Sequence, residues 1–179
     1  MYIEDLVSYF VDNYNDLYVK MVECDHGNDG HLNPYHEEGS VWLHTEMVIE
    51  ALEDKDDLDV LVAALLHDIG KVYVRDVKDG KVRFFGHAGV STFHAIDIVE
   101  DIKQNLEGFS GIDVAQILNM INIHDIFFIN KTGLSAKDLA NKLSGYGSHF
   151  VCKLIKLASA DNLGRICKNR VDELDFNEY

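Results

Sequence analysis

The sequence predicts an all-α domain carrying one small β-hairpin, and three observations predict it. Apolar residues recur at helical spacing over long stretches, beginning with Ile3, Leu6, Val7, Phe10, Val11, Tyr14, Leu17, Tyr18, Met21 and Val22. Residues 57–67 (DLDVLVAALLH) are apolar almost all round, which suits a helix at the centre of a bundle. Across 72–85 the pattern changes to alternation, VYVRDVKDGKVRFF, around Asp79-Gly80, a dipeptide that favours the tight turn of a hairpin. Roughly six or seven helices and this hairpin are expected in one domain. The 179 residues allow one substantial core and are short for two.

Taken in order, residues 3–22 read as one long amphipathic helix. Residues 24–39 (CDHGNDGHLNPYHEEG) are polar and non-periodic, hold the only proline, Pro34, and read as a loop. Ser40 is placed to cap a helix running through VWLHTEMVIEAL. After the central helix and the hairpin, helical patterns return at about 88–104 and 112–124. Ser135 and Asp138 (SAKD) form the signature of a capping box opening a short helix at 136–143. A last long helix is expected over 147–167, and the acidic tail DELDFNEY is expected to fray.

Hydrophobic residues make up 47% and charged residues 26%, the composition of a globular domain. No apolar run approaches the roughly 20 residues that span a bilayer, and no signal-peptide pattern opens the chain. The expectation is a cytoplasmic protein beginning at Met1, without membrane association. Cys24, Cys152 and Cys167 are odd in number, widely spaced and free of any CxxC pair, so they read as buried free thiols. The formal net charge of −15 disfavours broad nucleic-acid binding. An anionic substrate would need a local reversal of that field by bound cations and a few Lys or Arg. The first helix is rich in Tyr and Phe and could pack on its own core or on a second subunit, which leaves a homo-oligomer open.

The chemically informative segment is LLHDIGK, residues 65–71. A His-Asp pair at the end of so apolar a helix is costly to bury unless it is paired or ligates a metal. Alone, His67-Asp68 reads as a satisfied helix terminus. His44 shares an inward stripe with Val41, Met47 and Val48, and Asp161 follows the apolar Leu157 and Ala158. One inward His, one His-Asp pair and one inward Asp thus come from three helices. Two imidazoles and two carboxylates suit an N/O site for Mn, Fe, Ni, Mg or Zn with positions open to water. No Cys lies near, which argues against structural zinc.

The pattern H…HD…D, with HDIGK after an apolar helix, resembles the HD-domain superfamily of metal-dependent phosphohydrolases. The succession WLHTEMVIEAL, LLHDIGK, FFGHAGV, NIHDIFF and ASADNLGR is most similar to the HD domain of bacterial CCA-adding tRNA nucleotidyltransferases, over roughly residues 33–168. The GS…D.D pattern of the nucleotidyltransferase half is absent. The resemblance implies one HD domain over 1–179, with an N-terminal helix and loop at 1–32, the HD core at 33–168 and the acidic tail at 169–179. It implies that His44, His67, Asp68 and Asp161 hold one divalent metal. His87 and His124 would stand at a second-metal position, with Asp68 bridging, or His87 would sit on the pocket rim and touch phosphate. Lys71 and Arg165 resemble phosphate-contacting residues of the family, with a surface cation near a helix C-terminus as the alternative for either, and Asp68 would orient the attacking water or accept its proton.

Asp125 is a candidate hydrogen-bond partner for a ligating imidazole. His94 reads as core or as support behind the ligands. His26, His31 and His36, in a loop with several carboxylates, read as a solvated loop shaping the entrance, with weak metal binding as the alternative, and Arg75 and Arg83 as weaker phosphate candidates. The implied activity is hydrolysis of phosphate esters of nucleotides or RNA ends, of 2′,3′-cyclic phosphodiesterase, nucleotidase or phosphatase type, by metal-activated water. A (d)NTP or deoxynucleotide phosphohydrolase is the alternative, and a non-catalytic nucleotide-binding module is the alternative of another class. No GxSxG, Ser-His-Asp arrangement or P-loop is present.

Overall fold

A computed structural model describes residues 2–27, 33, 36–127 and 135–166. Its elements are α1 (Tyr2–Asn13), α2 (Asn15–Glu23), α3 (Val41–Ala51), α4 (Leu58–Leu66), α5 (Lys71–Val74), β1 (Asp76–Lys78), β2 (Lys81–Arg83), α6 (His87–Asn105), α7 (Val114–Ile123), α8 (Ala136–Leu143) and α9 (Ser148–Leu163). The chain is mostly helical, with a two-stranded antiparallel sheet as its sole sheet among the described residues.

The expected first helix is two helices, broken at Tyr14, which takes φ −123° and ψ 36°. The cause is tertiary. The Tyr14 and Tyr9 hydroxyls both donate to Asp101 Oδ2 on α6, at 2.7 and 2.8 Å. The bend then lets both halves bury apolar residues, Leu6 and Phe10 from α1 and Met21 from α2. Trp42 on α3 is the surface they close over. It stacks on Phe10 at 6.0 Å and meets the Tyr18 ring edge-on at 4.8 Å.

Helix α4 runs through the middle, in contact with α3, α6, α7 and α9, and every residue from Asp59 to Lys71 is buried. Its one acidic interior residue, Asp59, takes the Lys153 ammonium of α9 at 2.5 Å and the Asp113 main-chain N–H at 2.9 Å. Ser40 caps α3 by accepting the Leu43 N–H, and Ser135 with Asp138 completes a capping box on α8.

The hairpin is shorter than the alternating pattern. Residues 72–74 continue as a helical turn, and the strands pair from Asp76 to Arg83 in the register Val77↔Val82. Asp79 and Gly80 both take positive φ, 53° and 71°, as a two-residue hairpin turn needs. The last helix ends at Leu163, four residues earlier than its periodicity suggests, so Arg165 lies beyond it.

Candidate metal centre

Four imidazoles and two carboxylates meet where α4 stops. The chain leaves α4 at His67 and turns through Asp68, Ile69 and Gly70 into α5. Gly70 is required by close approach. A Cβ there would fall against the His87 carbonyl oxygen and the Ser91 nitrogen, so the first turn of α6 can lie directly on the His67–Gly70 turn. Ser91 Oγ fixes that contact by accepting the Gly70 N–H at 2.8 Å. Helix α6 thereby brings His87, α7 brings His124 at its end, α3 brings His44 and α9 brings Asp161.

Each imidazole has one nitrogen committed away from the centre. His67 Nδ1 faces the Ala64 carbonyl at 2.8 Å, His87 Nδ1 the Phe84 carbonyl at 2.9 Å, and His124 Nδ1 the Ile121 carbonyl at 2.8 Å. His44 Nδ1 faces Glu38 Oε1 at 3.1 Å and the Gly164 carbonyl at 3.3 Å. These partners only accept, so each Nδ1 carries a proton, and each Nε2 presents a lone pair in the neutral ring.

Those lone pairs converge on Asp68. Its Oδ2 lies 3.3 Å from His67 Nε2 and 3.5 Å from His44 Nε2. Its Oδ1 lies 3.3 Å from His87 Nε2 and 3.8 Å from His124 Nε2. His87 Nε2 and His124 Nε2 are only 3.2 Å apart. His67 Nε2 and Asp68 Oδ1 are buried without a hydrogen-bond partner. Acceptors gathered this closely repel one another unless a cation sits among them. His44, His67 and Asp68 form one compact donor set, and Asp68, His87 and His124 a second. Both sets are N/O donors suited to a borderline or hard divalent ion.

Asp161 is buried beside the first set, its Oδ1 3.1 Å from His44 Nε2. Its carboxylate is gripped by Arg165, Nε to Oδ1 at 3.2 Å and Nη2 to Oδ2 at 2.6 Å. Lys71 Nζ lies 2.6 Å from Asp68 Oδ2 and over the Phe84 ring. Burial alone would raise both carboxyls. The Lys71 ammonium and His67 hold Asp68 well below the usual carboxylate range, and Arg165 and His44 do the same for Asp161. For His44, burial opposes protonation, but the bonds to Asp161 and Glu38 outweigh it and raise its pKa. His124 is lowered, chiefly by burial and then by His67.

Several sequence readings need correction. His26 and His36 are not solvated: His26 is fully buried and stacks on the His36 ring at 4.3 Å. His31 lies outside the described residues. His94 is neither core nor support for the ligands; it is half-buried, stacked on exposed Tyr73 at 4.1 Å, because two helical turns carry it away from His87. The N–H of His124 goes to a main-chain carbonyl, the role offered to Asp125. Arg75 grips the Asp25 and Gly27 carbonyls instead of facing the site. Arg83 lies over the exposed Phe85 ring. Cys24 is buried, but Cys152 is exposed, and Cys167 lies outside the described residues. Glu38 escaped the sequence reading altogether. A carboxylate just ahead of the helix carrying His44 was its only signal, and burial gave it meaning.

Residues 40–165, more than half of the chain, match the HD domain. The chain belongs to the HD-domain family. That is the domain of the metal-dependent phosphohydrolase superfamily, and its span holds both donor sets, Lys71, Asp161 and Arg165. It begins at the cap of α3 and so excludes His26, His36 and Glu38. No curated protein and no solved structure matches the chain. No described helix is long and apolar enough to cross a membrane.

Proposed function

We propose that this HD protein hydrolyses phosphate esters of nucleotides or RNA ends, as a 2′,3′-cyclic phosphodiesterase, nucleotidase or phosphatase. The observation that carries the reading is Asp68. It turns one oxygen to each donor set and accepts the Lys71 ammonium at the same place.

In this reading His44, His67 and Asp68, with Asp161 beside them, hold one divalent ion, and Asp68, His87 and His124 hold a second. Such ions supply Lewis acidity and a water of lowered pKa. The chain's own groups do the rest. Asp68, kept ionised by Lys71, orients the attacking water through its carboxylate lone pairs. Lys71 has two of its three N–H bonds taken by Asp68 and His26, and the third reaches a phosphate oxygen. Arg165, tied to Asp161, brings a second positive charge to the edge of the site. Together the two cations oppose the charge that spreads over the phosphoryl oxygens.

The resemblance to the CCA-enzyme HD domain supports nucleotides and RNA ends over (d)NTPs as substrates. The net charge of −15 supports a small substrate over a long polyanion. The test is turnover of 2′,3′-cyclic AMP, 2′-AMP, a 3′-phosphorylated oligonucleotide and dNTPs by purified protein with Mn, Ni or Mg. Hydrolysis of the first three is expected, lost in Asp68→Ala together with the metal. Release of pyrophosphate or triphosphate from dNTPs alone would select the (d)NTPase reading. Metal binding without turnover would select the non-catalytic module. Turnover persisting in both His67→Ala and Asp68→Ala would misplace the site.

A further inference from the structure

Lys71 is reached from a direction that the HD domain itself does not provide. The described segment 25–27 lies between α2 and the family match, and it is built tightly onto α5 and the approach to α3. Asp25 bridges to Ser40, and the His26 main-chain N–H donates to the Gly39 carbonyl at 2.9 Å. Arg75, the residue after α5, donates through Nε to the Asp25 carbonyl at 2.9 Å and through Nη2 to the Gly27 carbonyl at 2.7 Å. His26 is therefore gripped by main-chain bonds on both sides.

Its ring is equally fixed. It stacks on His36 at 10° and meets the His44 and Phe84 rings edge-on at 5.8 and 5.5 Å. Nδ1 faces the Gly39 carbonyl at 2.9 Å, so the proton sits there and Nε2 carries the lone pair. That lone pair faces Lys71 Nζ at 3.0 Å. Facing an ammonium, which can only donate, Nε2 serves as the acceptor of a neutral ring.

Resting on the phosphohydrolase reading, we propose that His26 is a positioning residue for substrate phosphate: its Nε2 holds the Lys71 ammonium between Asp68 and the Phe84 ring, with the remaining N–H aimed at the substrate. A buried ammonium with Asp68 as its single acceptor would be free to swing about that bond. The second acceptor removes this freedom, and the orientation of a point-charge donor decides how well it meets one oxygen. The segment ahead of the HD domain thus completes the phosphate-binding side of the site.

The experiment uses the full chain loaded with Mn. Inorganic phosphate binding is measured by calorimetry, kcat and KM with bis(p-nitrophenyl) phosphate, and Mn content by elemental analysis. His26→Phe keeps the ring stack and removes the acceptor. It should retain wild-type Mn content, weaken phosphate about tenfold and raise KM in parallel, since one hydrogen bond to a charged group is lost. His26→Gln restores an acceptor and should recover most of that loss. In a Lys71→Met background His26→Phe should add nothing further, because the coupling runs through Lys71. Wild-type phosphate affinity in His26→Phe, the same loss with Lys71 already removed, or loss of Mn would each overturn the assignment while leaving the phosphohydrolase reading intact. A wild-type protein that neither binds phosphate nor turns over would overturn both.

Discussion

Asp68 divides its two oxygens between two pairs of imidazoles, so its loss should differ in kind from the loss of any single His. Asp68→Ala is expected to remove all bound Mn, whereas His87→Ala should remove only the ion of the second set, and the metal-to-protein ratio of each variant reads the difference. Equal loss in both variants would mean that Asp68 is not shared. Glu38 stands behind His44 as an acceptor for its N–H, and such partners set ligand orientation and basicity. Glu38→Gln should weaken Mn about tenfold, measured by competition with a chelating dye, with the helical content unchanged. That His44, His67 and Asp68 come together was legible from apolar stripes ending in ionisable residues. His26 was not. Among polar neighbours in a Gly-rich segment, its burial depends on Lys71, Gly39 and Arg75, none of which shares its local pattern.

At the scale of elements, the junction between α4 and α6 has no slack. Gly70→Ala forces main chain away from main chain, so α6 must retreat and carry His87 from Asp68. A loss of stability of about 2–3 kcal/mol is expected, by analogy with overpacking of a tight core. Mn of the second set should be lost before that of the first, followed by elemental analysis across a chelator titration. The Asp59–Lys153 pair joins α4 to α9 in the interior, with Asp57 Oδ1 3.3 Å from the same ammonium. Lys153→Met leaves two neighbouring carboxylates without their shared cation and should cost about 3–5 kcal/mol in urea unfolding. Asp59→Ala should cost less, since Lys153 keeps Asp57. Helix starts with side-chain caps, at Ser40 and Ser135, were readable because capping is local chemistry. The break at Tyr14 was not, because Asp101, which anchors it, is 87 residues away. The early end of the last helix was hidden likewise, since apolar spacing continues past Gly164.

For the whole molecule, ions held by the two donor sets would add a further tie between α3, the end of α4, α6 and α7. A ligand that binds only the folded state at about 100 times its Kd adds about 2.7 kcal/mol. For a chain of this size, that corresponds to a rise of about 5–10 °C in Tm. Mn should produce that rise in the wild type and none in Asp68→Ala, by differential scanning calorimetry. The charge of −15 surrounds a centre whose Lys71 is buried and whose Arg165 is half-buried, so added salt should screen long-range repulsion more than local attraction. Raising ionic strength from about 10 to 150 mM shortens the screening length from about 30 to 8 Å, and kcat/KM for an anionic phosphate ester should rise about two- to threefold. A fall would mean that local attraction dominates approach.

Trp42 is the only tryptophan of the chain and lies between Phe10 and Tyr18, under the N-terminal helix pair. Its emission is therefore a native optical gauge of whether that pair is seated. A red shift that precedes the fall in far-ultraviolet ellipticity would reveal α1 and α2 lifting off while the rest of the bundle persists.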